Sequence, residues 1–472
     1  MRTPPRSLTA AAAAAVVVAT AVLAAASGTA AATSPPDATR TNAAPTACRG
    51  IEQLVVPGAG MLKSACLSDL TTTGTVASGH TDSSSFLGFG GLSVPGTVRP
   101  APVPGIQLDG YFPDTSTFNT THGWNHDSQF VIRLPQKWNG GLVVAGPPGI
   151  RRQYASDVII SDTVLAKGYA YASTDKGNSG PGVFADGVNP GDAIAEWHSR
   201  LTELTVAAKD VLAQRYHREP HRTYVAGFSA AGYLARWQLE NRPRLYDGGV
   251  AWSGVLMTPD RNLLTYLPSA LRNYPHYAAT GSTESHQAML DAGFPAASEP
   301  TWEYSYRNFW DPFQRILREE IDPTYDGDRL AGYAFCAPGT VDCDADYDLA
   351  TRPAEVKAAL DRISLTGRIA KPLLQLQGTL DTAVTPRDTR LYAAMIESQG
   401  RDHLTRLYEV EGGTHFEADL YKAHPTLVRP MLPCFQDAFG ALEAWVGEGE
   451  KPPASNLVTR DAPTDLVNTC AL

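Results

Sequence analysis

Apolar positions along the chain follow two periodicities. Leu204, Ala207, Ala208, Val211 and Leu212 recur at intervals of three and four, the buried stripe of a helix whose other face is polar. Shorter, nearly continuous apolar runs read as strands covered on both sides: Gln129 to Leu134, Gly141 to Ala145, Gly168 to Ser173, Thr223 to Phe228, Gly248 to Trp252, Leu373 to Gln377 and Thr405 to Val410. Val158 to Ala166 and Phe435 to Val446 read as further helices. Strands alternating with helices predict an α/β protein, a mostly parallel sheet with helices on both faces. The rhythm starts near Ser128 and breaks between residues 255 and 366, where Trp302, Tyr304, Tyr306, Phe309, Trp310 and Phe313 crowd among prolines. Because this stretch lies between two sheet strands, it predicts an insertion over the C-terminal edge of the sheet, a lid. Its aromatic side chains would line an apolar site or pack the lid's own small core. From Cys48 to Asn125, Gly, Ser, Thr and Pro interrupt short apolar runs, which predicts irregular strands and turns on the edge of the core.

The N-terminus has a different character. Arg2 and Arg6 precede an apolar run from Ala10 to Ala26, and small residues continue through Ala30-Ala31-Ala32. This pattern predicts a secretory signal over 1–32, cleaved after Ala32. The remaining segments are then 33–127 (a leader followed by the irregular β-rich part), 128–254 (first part of the core), 255–366 (lid) and 367–472 (second part of the core and a C-terminal tail). Loss of Arg2 and Arg6 moves the formal charge from −10 to −12. An acidic surface argues against nucleic acid and anionic membranes as partners, since the phosphate contribution would be repulsive. Six cysteines in an exported chain favour disulfides. Pairing of neighbours (Cys48–Cys66, Cys336–Cys343, Cys434–Cys470) closes the shortest loops, although other connectivities stay open. None has zinc-ligand spacing to histidines.

The chemistry centres on Thr223 to Trp237, a buried strand, a glycine-flanked turn with Ser229 at its apex, and a helix. An α/β-hydrolase fold carries its nucleophile on such an elbow, usually Gly-x-Ser-x-Gly; here the residues are Gly227-Phe228-Ser229-Ala230-Ala231, with glycine one place later at 232. The pentapeptide alone would also suit an ordinary strand-to-helix turn. The order of three residues decides the reading: Ser229, then Asp381 and His415, the last two each following a strand and a glycine. In that reading His415 takes the serine proton and Asp381 orients the imidazole, with Asp388 and Asp402 as rival acids further from a strand end. The oxyanion would be held by the N–H of Ala230 and one from Gly146-Pro147-Pro148-Gly149. Prolines have no N–H, which leaves Gly146, Gly149 or Ile150, with Gly149 the preferred donor.

Four stretches together resemble the tannase and feruloyl esterase family: Leu134 to Gly140, Gly168 to Gly177, Leu204 to Lys209 leading into the elbow, and Ala441 to Ser455. The resemblance runs from Gln129 to Ser455, with the lid poorly covered. It implies a secreted serine carboxylic ester hydrolase with an acyl-enzyme intermediate, acting on aromatic or related esters that the lid selects. Family members usually have cysteines just before the serine and just after the histidine, joined as a disulfide. This chain has Phe228 and Phe416 there, and two rings pressed together would do the same work. Many family lids bind calcium; the carboxylates available for it are Asp322, Asp326 and Asp328, or Asp342, Asp344, Asp346 and Asp348. Neither run has EF-hand spacing, and a solvated acidic loop with no cofactor is the simpler expectation.

The expected partner is thus a small or oligomeric ester. Hydrolysis of hydroxyalkanoate oligomers or polyester fragments is an alternative. A secreted serine peptidase is another, with Glu303 or Glu319 as anchor for a peptide terminus, and so is a binding protein that has lost its chemistry.

Overall fold

The structure, a computed structural model, describes residues 48–81, 93–180, 182–183, 186–325, 344–460 and 465–472. The predicted signal, Cys336, Cys343, Asp326, Asp328 and Asp342 lie outside them. Ten strands form one sheet: β1 (Met61–Leu67), β2 (Gly105–Tyr111), β3 (Gln129–Pro135), β4 (Gly141–Ala145), β5 (Ala170–Thr174), β6 (Arg222–Phe228), β7 (Gly248–Trp252), β8 (Leu373–Gly378), β9 (Thr405–Val410) and β10 (Asn456–Val458). Their spatial order is β1-β2-β3-β5-β4-β6-β7-β8-β9-β10. Every pairing from β5 onwards is parallel, and β1, β2 and β3 extend the sheet antiparallel. The exchange of β4 and β5 followed by a parallel run is the strand order of the α/β-hydrolase fold. The segment before Ser128, expected to be irregular, therefore supplies two regular edge strands.

Both faces are covered at the centre of the sheet, which is why β4, β5 and β7 are buried along their whole length. Along β4, Leu142 and Val144 face one core while Val143 and Ala145 face the other. The first core takes in Leu201, Leu204, Ala208 and Val211 of the helix Asp192–Tyr216, which begins twelve residues before the stripe seen in the sequence. The second takes in Phe435, Phe439 and Leu442 of the helix Leu432–Glu448. Between β7 and β8 the described residues form four longer helices, Leu267–Thr280, Thr283–Ala292, Asp311–Ile321 and Ala354–Arg362. Trp302 and Trp310 are fully buried there; Trp310 packs against Phe294 and Tyr274, and Trp302 against Phe294 and Tyr277.

Disulfides Cys48–Cys66 and Cys434–Cys470 close the two ends of the described chain. Each is worth roughly 2–4 kcal/mol through restriction of the unfolded chain. Among the described residues, no helix is long and apolar enough to cross a membrane.

Candidate active site

The elbow is built from backbone geometry. Ser229 has φ 59° and ψ −120°, a strained conformation for a residue with a side chain. It is held by its N–H donating to Trp252 O (2.9 Å) and by its carbonyl accepting from Tyr233 N (3.0 Å) and Val255 N (3.2 Å). A Cβ on Gly227 would lie 2.1 Å from Ala231 O, so only glycine fits there. The displaced glycine also has a role: Gly232 passes so close to Gly254 that a Cβ would meet its Cα at 2.7 Å.

Two other strand ends converge on this serine. His415 Nε2 is 3.0 Å from Ser229 Oγ, and His415 Nδ1 is 2.9 Å from Asp381 Oδ2. The second oxygen of Asp381 accepts from Ala383 N and Val384 N, each at 2.9 Å. All three residues are buried. The loops carrying the acid and the imidazole touch through glycines, since a Cβ on Gly378 would meet Gly413 C at 2.4 Å. Leu380 N donating to Gly413 O (2.9 Å) ties them further. The rival acids are elsewhere: Asp388 is paired with Arg261 at 2.5 Å and Asp402 is exposed. An imidazole bonded to a hydroxyl at one nitrogen and a carboxylate at the other is able to take the hydroxyl proton as a nucleophile attacks.

The expected Phe228–Phe416 ring pair does not form. Phe228 packs on His415 (centroids 4.5 Å apart) and Trp252 (5.0 Å). Phe416 turns to Phe309 (5.0 Å) and Tyr304 (5.6 Å) of the lid, and its ring is 5.3 Å from that of His415. The imidazole thus has both phenylalanines as neighbours in place of one bridge beneath it.

A pocket of about 610 Å³, its solvent-open part included, opens beside Ser229 and Ala230. Gly149 and Ile150 form part of its wall, and Trp197, Met257, Phe309, Phe313 and Leu317 are among its apolar lining. Each carbonyl of the loop 146–150 is engaged. Gly146 O accepts from Ser156 Oγ (2.8 Å), Pro148 O from Arg151 N (3.2 Å) and Ile150 O from Gly180 N (2.8 Å), while Pro147 O (3.2 Å) and Gly149 O both accept from Lys176 Nζ. The amides of Gly149 and Ile150 donate to no group among the described residues. Ala230 is the first residue of the helix Ala230–Asn241, where N–H groups have no intrahelical acceptor.

Sequence reasoning passed over two buried charged groups here. Lys176 is wholly buried, with its ammonium 4.4 Å from the Trp197 ring centre; burial pushes its pKa down to about 7, and neighbouring Asp175 opposes that shift. Its signal in the sequence is its place two residues after a strand, within the stretch Gly168 to Gly177. Glu320 is the single carboxylate on the pocket wall, and it accepts from Ala193 N (3.0 Å) and from Ile194 N at the start of the helix Asp192–Tyr216. Burial raises its pKa from 4.5 to about 8 against those hydrogen bonds. Between these two values the folded protein holds a proton that the unfolded chain releases, so this group makes stability fall as pH rises. The Tm of Glu320→Gln should therefore decline less from pH 5 to pH 8 than that of the parent, by about 2 °C or more. Parallel thermal melts check this, and identical declines would count against it.

Among the described lid carboxylates, Asp322 pairs with Arg352 (2.5 Å), Asp344 with Arg318 (2.6 Å), Asp346 accepts from Tyr325 Oη, and Asp348 caps a short helical turn. Of the suggested peptide anchors, Glu303 is exposed and paired with Arg307, and Glu319 lies beside Arg318; neither is on the pocket wall.

Comparison with known proteins adds a family. Residues 115–257 match the tannase and feruloyl esterase family. The match spans β3 to β7 and includes Ser229, with Asp381 and His415 beyond it. Mono(2-hydroxyethyl) terephthalate hydrolase of Piscinibacter sakaiensis is 27% identical over 142 residues, 27% of this chain and 24% of that protein. The chain thus matches about a quarter of that relative's length. Feruloyl esterase B from Aspergillus oryzae is 14% identical with a TM-score of 0.49, covering 86% of this chain and 90% of its own. Tannin acyl hydrolase from Aspergillus niger is 13% identical with a TM-score of 0.44, covering 83% of each chain.

Proposed function

We propose that this protein is a secreted serine carboxylic ester hydrolase. Ser229 would attack the ester carbonyl as His415 takes its proton, and Asp381 would hold the imidazole in the tautomer that can accept it. The tetrahedral oxyanion would lie against the N–H groups of Ala230 and Gly149; its collapse would break the ester C–O bond and release the alcohol, which takes the proton from His415, and the acyl-enzyme would then be hydrolysed by water that the neutral His415 deprotonates. The observation that carries the reading is the bond of His415 to Ser229 Oγ at one nitrogen and to Asp381 at the other, on an elbow beside an apolar pocket. The tannase and feruloyl esterase match supports an ester as substrate, and the two disulfides support export.

The pocket lining supports an aromatic or alkyl group with few hydroxyls. Apart from Ser229, its polar side-chain atoms belong to Glu320, Tyr233 and Trp197, and each is already engaged: Glu320 by helix amides, Tyr233 Oη by donating to Ile363 O and Trp197 Nε1 by donating to Asn178 Oδ1. A phenolic hydroxyl buried there without a partner would cost about 1–3 kcal/mol. Esters of unsubstituted benzoic or cinnamic acid should therefore exceed the corresponding trihydroxybenzoate ester in kcat/KM by about tenfold or more. A panel of these esters with a hydroxyalkanoate oligomer and an aminoacyl anilide, together with fluorophosphonate labelling, tests the function. Labelling at Ser229 with turnover of esters is the expected result. Cleavage of the anilide alone, or no labelling, would sink the proposal.

A further inference from the structure

Lys176 has a backbone conformation that a lysine does not choose for itself. Its φ is 76°, a region where glycine would be at less cost and where other residues carry about 1–3 kcal/mol of strain. Its ammonium is fully buried, with carbonyls as its hydrogen-bond acceptors among the described residues and Asp175 acting on it only through its charge. The stem runs under the pocket-side loop, with Cγ at 3.6 Å from where a Gly146 Cβ would stand, and the head donates to the carbonyls of Pro147 and Gly149 while covered by Trp197. A buried cation so placed is costly unless its contacts do something the fold needs.

We infer that Lys176 is a positioning residue for the oxyanion site, its ammonium pinning the loop so that the amides of Gly149 and Ile150 face the pocket. In a trans peptide the N–H points away from the C=O of the same plane. With Gly149 O drawn to Lys176, the Ile150 N–H is turned away from the lysine; the Gly149 N–H lies opposite Pro148 O, which Arg151 N holds, in the peptide between the two whose carbonyls Lys176 engages. The two prolines give an outside pin more to do, because they remove two N–H groups from the loop's own bracing and leave it the bond from Arg151 N to Pro148 O. Donors fixed before the reaction stabilise charge that develops only in the transition state, so their loss should reach kcat more than KM. The inference rests on the esterase reading and deepens it.

The test compares the parent with Lys176→Met, which fills the stem's space without donating, and with Lys176→Arg, which can donate to both carbonyls. Each is measured for kcat and KM on an aryl ester, for Tm, and for amide hydrogen exchange over residues 146–150. In Lys176→Met we expect faster exchange in that loop and a kcat lower by about 10–100-fold, since one oxyanion donor is worth about 10²–10³. KM should stay within about twofold of the parent, and Lys176→Arg should recover much of the loss. If Lys176→Met fails to fold, Lys176→Gln, which can reach only one carbonyl, should fall between the parent and inactivity. An active parent whose folded variants keep parental kcat and loop exchange overturns the inference. A rise in KM matching the loss, with no change in kcat, also overturns it. A parent that neither hydrolyses esters nor labels at Ser229 overturns instead the esterase reading on which it rests.

Discussion

Ser229→Ala should remove ester hydrolysis almost completely, lowering turnover on the order of a million-fold, while the protein stays folded. The two halves of this expectation come from different atoms. The elbow is held by the Ser229 N–H and carbonyl and by the absence of a Cβ at Gly227 and Gly232, none of which the substitution touches. Alanine keeps the same Cβ at φ 59°, so the strain is unchanged. Only the Oγ is lost, and with it one hydrogen bond to His415, worth about 1 kcal/mol. The Tm should therefore move by no more than a few degrees. For the chemistry, no other hydroxyl among the described residues is bonded to His415, and the oxyanion donors alone would leave only a small residual rate. Rates on an aryl ester, with active-site titration to exclude contaminating parent, check the prediction. Activity above about one per cent of the parent would mean that the nucleophile is elsewhere.

What the sequence disclosed and what it did not divide along a physical line. The runs Gly141–Ala145 and Gly248–Trp252 coincide with β4 and β7, because a strand covered on both faces carries no charged residue; Thr405–Val410 coincides with β9, which is half-buried at Arg406, Leu407 and Glu409. The elbow was legible for a similar reason: strand, glycine and serine are constraints within a few residues of one another. Partners are a different matter. Periodicity states that a side chain is covered, not by what. Phe416 illustrates this, being drawn to Phe309 and Tyr304 of an insertion whose docking no local pattern reveals. The same insertion braces the acid: Trp310 Nε1 donates to Thr382 O (2.9 Å) and Tyr266 Oη to Ala383 O (2.7 Å), the carbonyls of the two residues that follow Asp381. Lys176 and Glu320 escaped notice because a charged residue ordinarily signals solvent, and each is instead buried against backbone groups of another segment. The sequence therefore pointed to Ser229, Asp381 and His415, which the structure brings together, but not to what holds the loops around them.

Asp381→Asn should lower turnover by about 10⁴ while leaving the loops in place, and the reason lies in how the carboxylate is shared. One oxygen accepts from Ala383 N and Val384 N, and the other faces His415 Nδ1. An asparagine at 381 has one oxygen and one NH2. The two backbone N–H groups can be satisfied only by the oxygen, so the NH2 must face His415. That makes Nδ1 the acceptor and puts the ring proton on Nε2, the nitrogen that faces Ser229 Oγ, and an N–H there cannot take the serine proton. The imidazole would stand in the right position in the wrong tautomer. Binding of a product-like acid should then be nearly unaffected, while kcat falls and raising the pH restores little. Asp388→Asn is the comparison: Asp388 is buried and its loss would disturb Arg261 and Thr385, but it does not face the imidazole. Its effect should appear in Tm, with kcat within about tenfold of the parent. If the two substitutions lowered kcat alike, or if Asp381→Asn retained more than about a tenth of parental turnover, Asp381 would not be the group that orients His415.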